Sequence, residues 1–278
     1  MLNVSREGFR QYLLDRNKPW KYEHIVELIQ EVLAEDECND MYGRVRMHEA
    51  LKLKFPNEKI PCEHTINNIM EKAHINNHLR RPNGVTEKDP NAIPSENLLK
   101  RDFKADKPLD KCVTDITEMT CSDGKLYVSA IFDCYDLKTL GLEMRDNMKA
   151  DLCAQTVINA CTLNPRLRGA RIHSDQGKQY TSSHYRQTLR RFDITQSMNS
   201  AGGRCHDNAR CESMWARMKT ELIYGRYDTA KITREKLKRI IFRYFMGYWN
   251  NRRICSSNGG LPPVLKEKEY YDLRDNKI

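Results

Sequence analysis

Residues 111 to 175 constrain the fold more tightly than any other part of the chain. KCVTDITEM, a CSDGK turn, LYVSAIFDCYD and TLGLEM are strand-length runs separated by polar turn residues, and they predict three successive antiparallel strands with tight connections. A helical run over 150–162 follows, and RIHSD reads as a fourth strand reached through that helix. A meander, then a helix, then another strand requires a mixed sheet covered by helices. In such an α/β core the strands carrying Asp115 and Asp175 can be neighbours.

The chain beyond 175 continues in the same style. A helix is expected over 183–192 with Tyr185, Leu189 and Phe192 inward, then a short strand, ITQSM, and a polar, basic loop, NSAGGRCHD. Asn208 is a suitable cap for a helix in which Cys211, Met214, Trp215, Met218 and Leu222 form one stripe, with Glu212 at its edge and Lys219 at nearly the same azimuth as Glu212. A last long helix over 234–250 gathers Leu237, Ile240, Ile241, Tyr244, Phe245, Tyr248 and Trp249 on a core or interface face. Its opposite face carries Arg234, Lys236, Lys238, Arg239 and Arg243.

The first hundred residues read differently. Helical spacing over 22–35, with Ile25, Val26, Leu28, Ile29, Val32 and Leu33, is followed by helical stretches at 44–54 and at 63–74, the last with Ile66, Ile69, Met70 and Ala73 inward. Gly43, Pro56 and Pro61 separate them, which predicts a small module of helix-turn-helix character. The Pro-rich, polar stretch LRRPNGVTEKDPNAIPSENL reads as a linker. The expected organisation is therefore a helical module over 1–78, a linker over 79–108 and an α/β core over 109–278.

Charge narrows the partner. The net charge of +9 arises after residue 100, where 32 Lys and Arg face 22 Asp and Glu, whereas residues 1–100 hold 15 against 16. A basic excess of this kind suits a polyanion, whose condensed counterions are released as phosphates are neutralised. No apolar run approaches the ~20 residues that span a bilayer, so the expectation is a cytoplasmic protein associated with the bacterial nucleoid and no membrane partner. Ten cysteines without a single CxxC are expected to be free thiols, and the His74/His78 pair behind Cys62 lacks the downstream CxxC of a zinc site.

Three carboxylates carry the chemistry. Asp115 in VTDIT, Asp175 in HSDQGKQYT and Glu212 would be delivered from two strands and a helix, the oxygen-donor set that a pair of hard divalent cations needs for phosphoryl transfer. Asp133 and Asp207 are rival ligands. His173 is placed either to orient Asp175 or to fill the core, and His206 either to touch substrate or simply to lie in its loop.

These residues also carry a family resemblance. VTDIT (113–117), HSDQGKQYTS (173–182), QSMNSAGGRCHDNARCESMWARMKTEL (196–222) and YWNNRR…GGLPP (248–263), with VSREGFRQYL and MYGRVRMHEAL near the N-terminus, closely resemble the OrfB-type transposases of bacterial insertion sequences, which have a retroviral-integrase-like core. The resemblance implies a ribonuclease H-like fold and a DDE triad at Asp115, Asp175 and Glu212 working with two Mg²⁺ or Mn²⁺ ions. It also implies cleavage at element ends followed by strand transfer. DNA contacts are expected from Lys178, Arg204 and Lys219. The expected partners are DNA, further copies of the chain on that DNA, and an upstream DNA-binding protein joined by fusion or association. Two features depart from the family: the stretch between Asp175 and Glu212 is one residue longer than usual, and His206 stands where an aromatic is often found. A nuclease of the same fold that only hydrolyses, and a DNA-binding regulator that has lost catalysis, are the alternatives.

Overall fold

The computed structural model describes residues 5–15, 20–75, 105–175, 177–198 and 209–275. Of the expected linker, residues 79–104 lie outside these. The chain divides into two compact units, residues 1–78 and 79–278.

In the first unit α1 (Arg6–Asp15) buries none of its residues. α2 (Glu23–Ala34) buries Ile25, Leu28, Ile29 and Val32, the 3-4 spacing of an amphipathic helix. α3 (Arg44–Lys54) adds Met47, Ala50 and Leu51, and α4 (Glu63–Lys72) adds Ile66, Ile69 and Met70. Ala73, expected inward, is the C-cap of α4 and only half-buried. A short 3₁₀ turn over Glu37–Met41, capped by the Asp36 side chain, closes the gap between α2 and α3 and buries Cys38 and Met41. Near-neutral total charge conceals segregation: Glu23, Glu27 and Glu31 lie on α2, whereas Arg44, Arg46, Lys52 and Lys54 lie on α3.

The second unit is built on a five-stranded sheet of order β3-β2-β1-β4-β5. β1 (Lys111–Cys121), β2 (Gly124–Asp133) and β3 (Thr139–Arg145) form the antiparallel meander. β4 (Arg171–Ser174) joins β1 in parallel, and β5 (Thr195–Met198) joins β4 in parallel. This mixed sheet, with helices on both faces, is the ribonuclease H-like arrangement. Each parallel connection runs through helices: α5 (Ala150–Leu163) before β4, and α6 (Lys178–Thr181) with α7 (Ser183–Arg191) before β5.

Alternation along the strands divides the core in two. Cys112, Ile131 and Ile172 pack with Cys153, Val157, Ala160 and Cys161 of α5 and with Tyr185 and Leu189 of α7. α5 comes so close to β3 that a Cβ on Gly141 would sit 2.6 Å from the Thr156 carbonyl oxygen and 2.7 Å from the Ala160 Cβ. On the other face Phe132 meets Trp215 of α8 (Ala209–Met218) and Phe245, at ring-centroid distances of 5.4 and 5.6 Å.

α8 passes into a π-helical turn over Lys219–Ile223, and α9 (Arg234–Phe242) passes into another over Arg243–Trp249, so the expected single helix over 234–250 changes its winding midway. Its apolar face is core: Leu237, Ile241, Tyr244, Phe245, Tyr248 and Trp249 are fully buried, and Ile240 is half-buried. Beneath these turns Arg253 donates from Nη2 to Glu221 Oε1 at 2.5 Å and from Nε to Oε2 at 2.8 Å, Tyr244 Oη donates to Oε2 at 2.9 Å, and the guanidinium lies 4.3 Å above the Trp249 ring. α10 (Pro263–Asp275) ends the described chain and pairs Glu267 with Lys138 of the β2–β3 connection. Among the described residues no helix is long and apolar enough to cross a membrane.

Candidate functional site

The parallel register of β1 and β4 pairs Val113 with His173, so Asp115 and Asp175, each two residues further along, stand at one level of the sheet. Asp115 is opposite Ala130 of β2, two residues from the Val113–Phe132 pair, and so projects from the face that carries Phe132 and α8. Asp175 follows the last residue of β4, where its Oδ1 accepts the Gly177 N–H at 2.9 Å and closes a tight turn. A Cβ at Gly177 would come 2.7 Å from the Gln179 Oε1 and 3.0 Å from that same Asp175 oxygen, so a side chain there would push on the turn's own carboxylate. Glu212 lies in the first turn of α8 and is exposed.

Asp115 feels the charge of both other carboxylates. Asp115 is half-buried, and its carboxyl is pushed up to about 6, first by burial and then by the charges of Asp175 and Glu212; the Ile116 N–H and the Trp215 indole N–H oppose the rise. Lys219 is half-buried beside them: burial pulls its ammonium down and the Asp115 charge holds it up. Lys178 opens α6 and is exposed. Arg204, His206 and Asp207 lie outside the described residues. Among the described residues no group of three or more His, Cys, Asp or Glu side chains is already drawn into a metal-holding arrangement. The donor set nevertheless suits Mg²⁺ or Mn²⁺, because it consists of carboxylate oxygens whose repulsion a cation would relieve.

The rival Asp133 has a different task. It pairs with Cys112, three residues along β1 from Asp115, and its oxygens accept the backbone N–H groups of Leu109 at 2.7 Å and Tyr135 at 2.8 Å. His173 is buried, with Nδ1 3.0 Å from Ser197 Oγ, and so ties β4 to β5 from within the core. The thiols of Cys153 and Cys211 beneath the carboxylates are raised by burial, to about 12 for Cys153, and remain protonated packing groups.

One neighbour of Asp115 was hidden in the sequence. Trp215 belongs to the apolar stripe of α8 and reads there as core. Its position three residues after Glu212, nearly one helical turn on, was the only signal in the sequence pointing its indole toward the site.

Residues 105–203 match the Integrase core domain. Over 173 residues the chain is 39% identical to an uncharacterized transposase-like protein of Haemophilus influenzae, an alignment that takes in 61% of this chain and 76% of that protein. The chain belongs to the transposase family with an integrase core. A second member is the transposase InsF for insertion sequence IS3A of Escherichia coli, 36% identical over 175 residues, or 63% of this chain and 59% of that transposase. The likeness to a probable transposase for insertion sequence element IS1353 of Shigella flexneri reaches across both units: 33% identity over 269 residues, 95% of this chain and 50% of its relative. The chain thus spans between half and three fifths of the length of these two insertion-sequence transposases.

Proposed function

We propose that the chain is a DDE transposase: it cuts DNA at the ends of an insertion element and joins the freed 3′-hydroxyl to a phosphodiester of the target, with Asp115, Asp175 and Glu212 holding two Mg²⁺ or Mn²⁺ ions. The observation that carries this reading is that Asp115 of β1 stands at one level with Asp175 at the end of β4 and feels the charges of both Asp175 and Glu212 of α8, in a chain of the integrase-core transposase family. Bound divalent ions would activate the attacking oxygen and stabilise the leaving one.

The chain's own residues supply position and charge. Asp115 and Asp175 are held at one level by the β1–β4 ladder, and Glu212 approaches from the helix packed over Phe132. Lys219, whose ammonium feels the Asp115 charge, would neutralise a phosphate at the site, while Lys178 and Arg204 would hold the DNA backbone further out. Action as a multimer on DNA, together with an upstream DNA-binding protein, belongs to the same proposal.

Duplexes carrying the element ends, incubated with the full chain and Mg²⁺, test it. Joined products are expected from the wild type and not from Asp115→Asn, Asp175→Asn or Glu212→Gln. Joining that persisted in all three variants would overturn the assignment, and nicks without joined products would point instead to a hydrolytic nuclease.

A further inference from the structure

Trp215 is buried to 4% exposure, and its ring is fixed edge-on against Phe132 and Phe245, at centroid distances of 5.4 and 5.7 Å. Its Nε1–H is shielded from solvent, and no acceptor meets full hydrogen-bond geometry with it. A buried indole donor ordinarily finds a partner, because leaving it unpaired is costly. Asp115 lies on the same face of the sheet, two residues along β1 from the Val113 paired with the Phe132 that the indole touches, and the indole lowers the Asp115 carboxyl, which makes this carboxylate the nearby acceptor for the donor. Phe132 belongs to β2, beside the strand that carries Asp115, and Phe245 to the π turn after α9, so the indole is clamped between the sheet and the helical layer above it.

We infer that Trp215 is a positioning residue: its indole N–H holds one oxygen of Asp115, leaves the other oxygen directed at the metal, and ties the helix that carries Glu212 to the strand that carries Asp115. This rests on the three-carboxylate reading above. Trp215→Phe keeps an aromatic ring in the clamp but removes the donor together with part of the indole volume, so a control that shrinks the same cluster and keeps the indole separates packing from hydrogen bonding. Partners that orient metal-ligating groups typically change metal affinity by about 10- to 100-fold when removed.

The test uses the full chain and two readouts besides turnover. In calorimetric titration with Mn²⁺, Trp215→Phe is expected to bind at least about tenfold more weakly than wild type, whereas Phe245→Leu, which shrinks the same ring cluster and keeps the indole donor, is expected to lower the metal-free melting temperature with little loss of Mn²⁺ affinity. In ¹H–¹⁵N spectra the Trp215 indole resonance, assigned by its loss in Trp215→Phe, is expected to move on addition of Mg²⁺ and in metal-free Asp115→Asn. Wild-type affinity in Trp215→Phe, or an indole resonance indifferent to Asp115→Asn, would overturn the role of Trp215 while leaving a carboxylate-dependent metal site intact. Metal binding unaltered by Asp115→Asn, Asp175→Asn and Glu212→Gln would overturn the parent reading, and the positioning role with it.

Discussion

Arg253 and Glu221 form a two-point ion pair in the interior of the second unit, with side-chain exposures of 4% and 6%. The pair joins the π turn that extends α8 to the segment after α9. Burying two charges gives little net stability, but removing one leaves the other desolvated and uncompensated. Glu221→Ala is therefore expected to destabilise the protein by about 3–5 kcal/mol, and Glu221→Gln, which leaves the guanidinium without its counter-charge, by a large part of that. Urea denaturation followed by far-ultraviolet circular dichroism measures both. A loss within experimental error of zero for Glu221→Ala would show that the pair does not hold these layers together.

Gly141 is where β3 meets α5 most closely. A methyl group there would press on the Thr156 carbonyl and the Ala160 backbone nitrogen, neither of which can swing away as a flexible side chain does. Gly141→Ala is expected to cost about 1–3 kcal/mol by overpacking, despite the better strand propensity of alanine. Thermal melts of the variant, which should fall by several degrees, provide the check.

The Asp115 proton and a metal ion compete for the same oxygens. Because burial and the neighbouring carboxylates raise this group to about 6, Mn²⁺ affinity should hold above that pH and fall as pH drops through it. Titrations at about pH 7.5 and about pH 5.5 should differ for the wild type and much less for Asp115→Asn. Equal affinities for the wild type at the two pH values would contradict the position of Asp115 among the ligands.

Asp136, in the β2–β3 connection, gives a pH signature of the opposite kind, one of stability. Its Oδ1 accepts the Lys138 N–H at 2.8 Å, its Oδ2 is buried without a hydrogen-bond partner, and burial, followed by the charge of Asp133, pushes the carboxyl up to about 8. Below the unfolded value of about 4 both states hold the proton and its contribution to stability is complete. As pH rises from there the unfolded chain releases the proton while the folded one keeps it, so stability is lost until the folded group also ionises near 8. Asp136→Asn keeps the Oδ1 acceptor and cannot titrate. Its melting temperature relative to wild type should climb steadily across that window, and a constant difference would refute the shift.

Much of this architecture was legible in the residues. The meander, the crossover helix and the fourth strand announced a mixed sheet, and strand order alone allowed Asp115 and Asp175 to be neighbours. α1 and α10 left little trace because they bury almost nothing: none of the residues of α1 and only Pro263 of α10. The Glu221–Arg253 pair was invisible because 32 residues separate its members and neither lies in a periodic pattern that demands a partner. The π turns were hidden for a related reason, since the apolar spacing from Leu237 to Trp249 satisfies an ordinary helix. Trp215 could be read as core, which it is, but its contact with Asp115 depends on how α8 is rotated over the sheet.

The register between β1 and β4 has a consequence for how such a chain tolerates insertion. The separation of Asp115 from Asp175 is governed by a hydrogen-bonded ladder, in which a one-residue slip would turn side chains to the opposite face. The approach of Glu212 is governed instead by side-chain packing between α8 and that sheet, through Trp215 and Phe132. An inserted residue within β1 or β4 would therefore move an aspartate, whereas a substitution at Phe132 or Trp215 would move Glu212 without shifting the ladder.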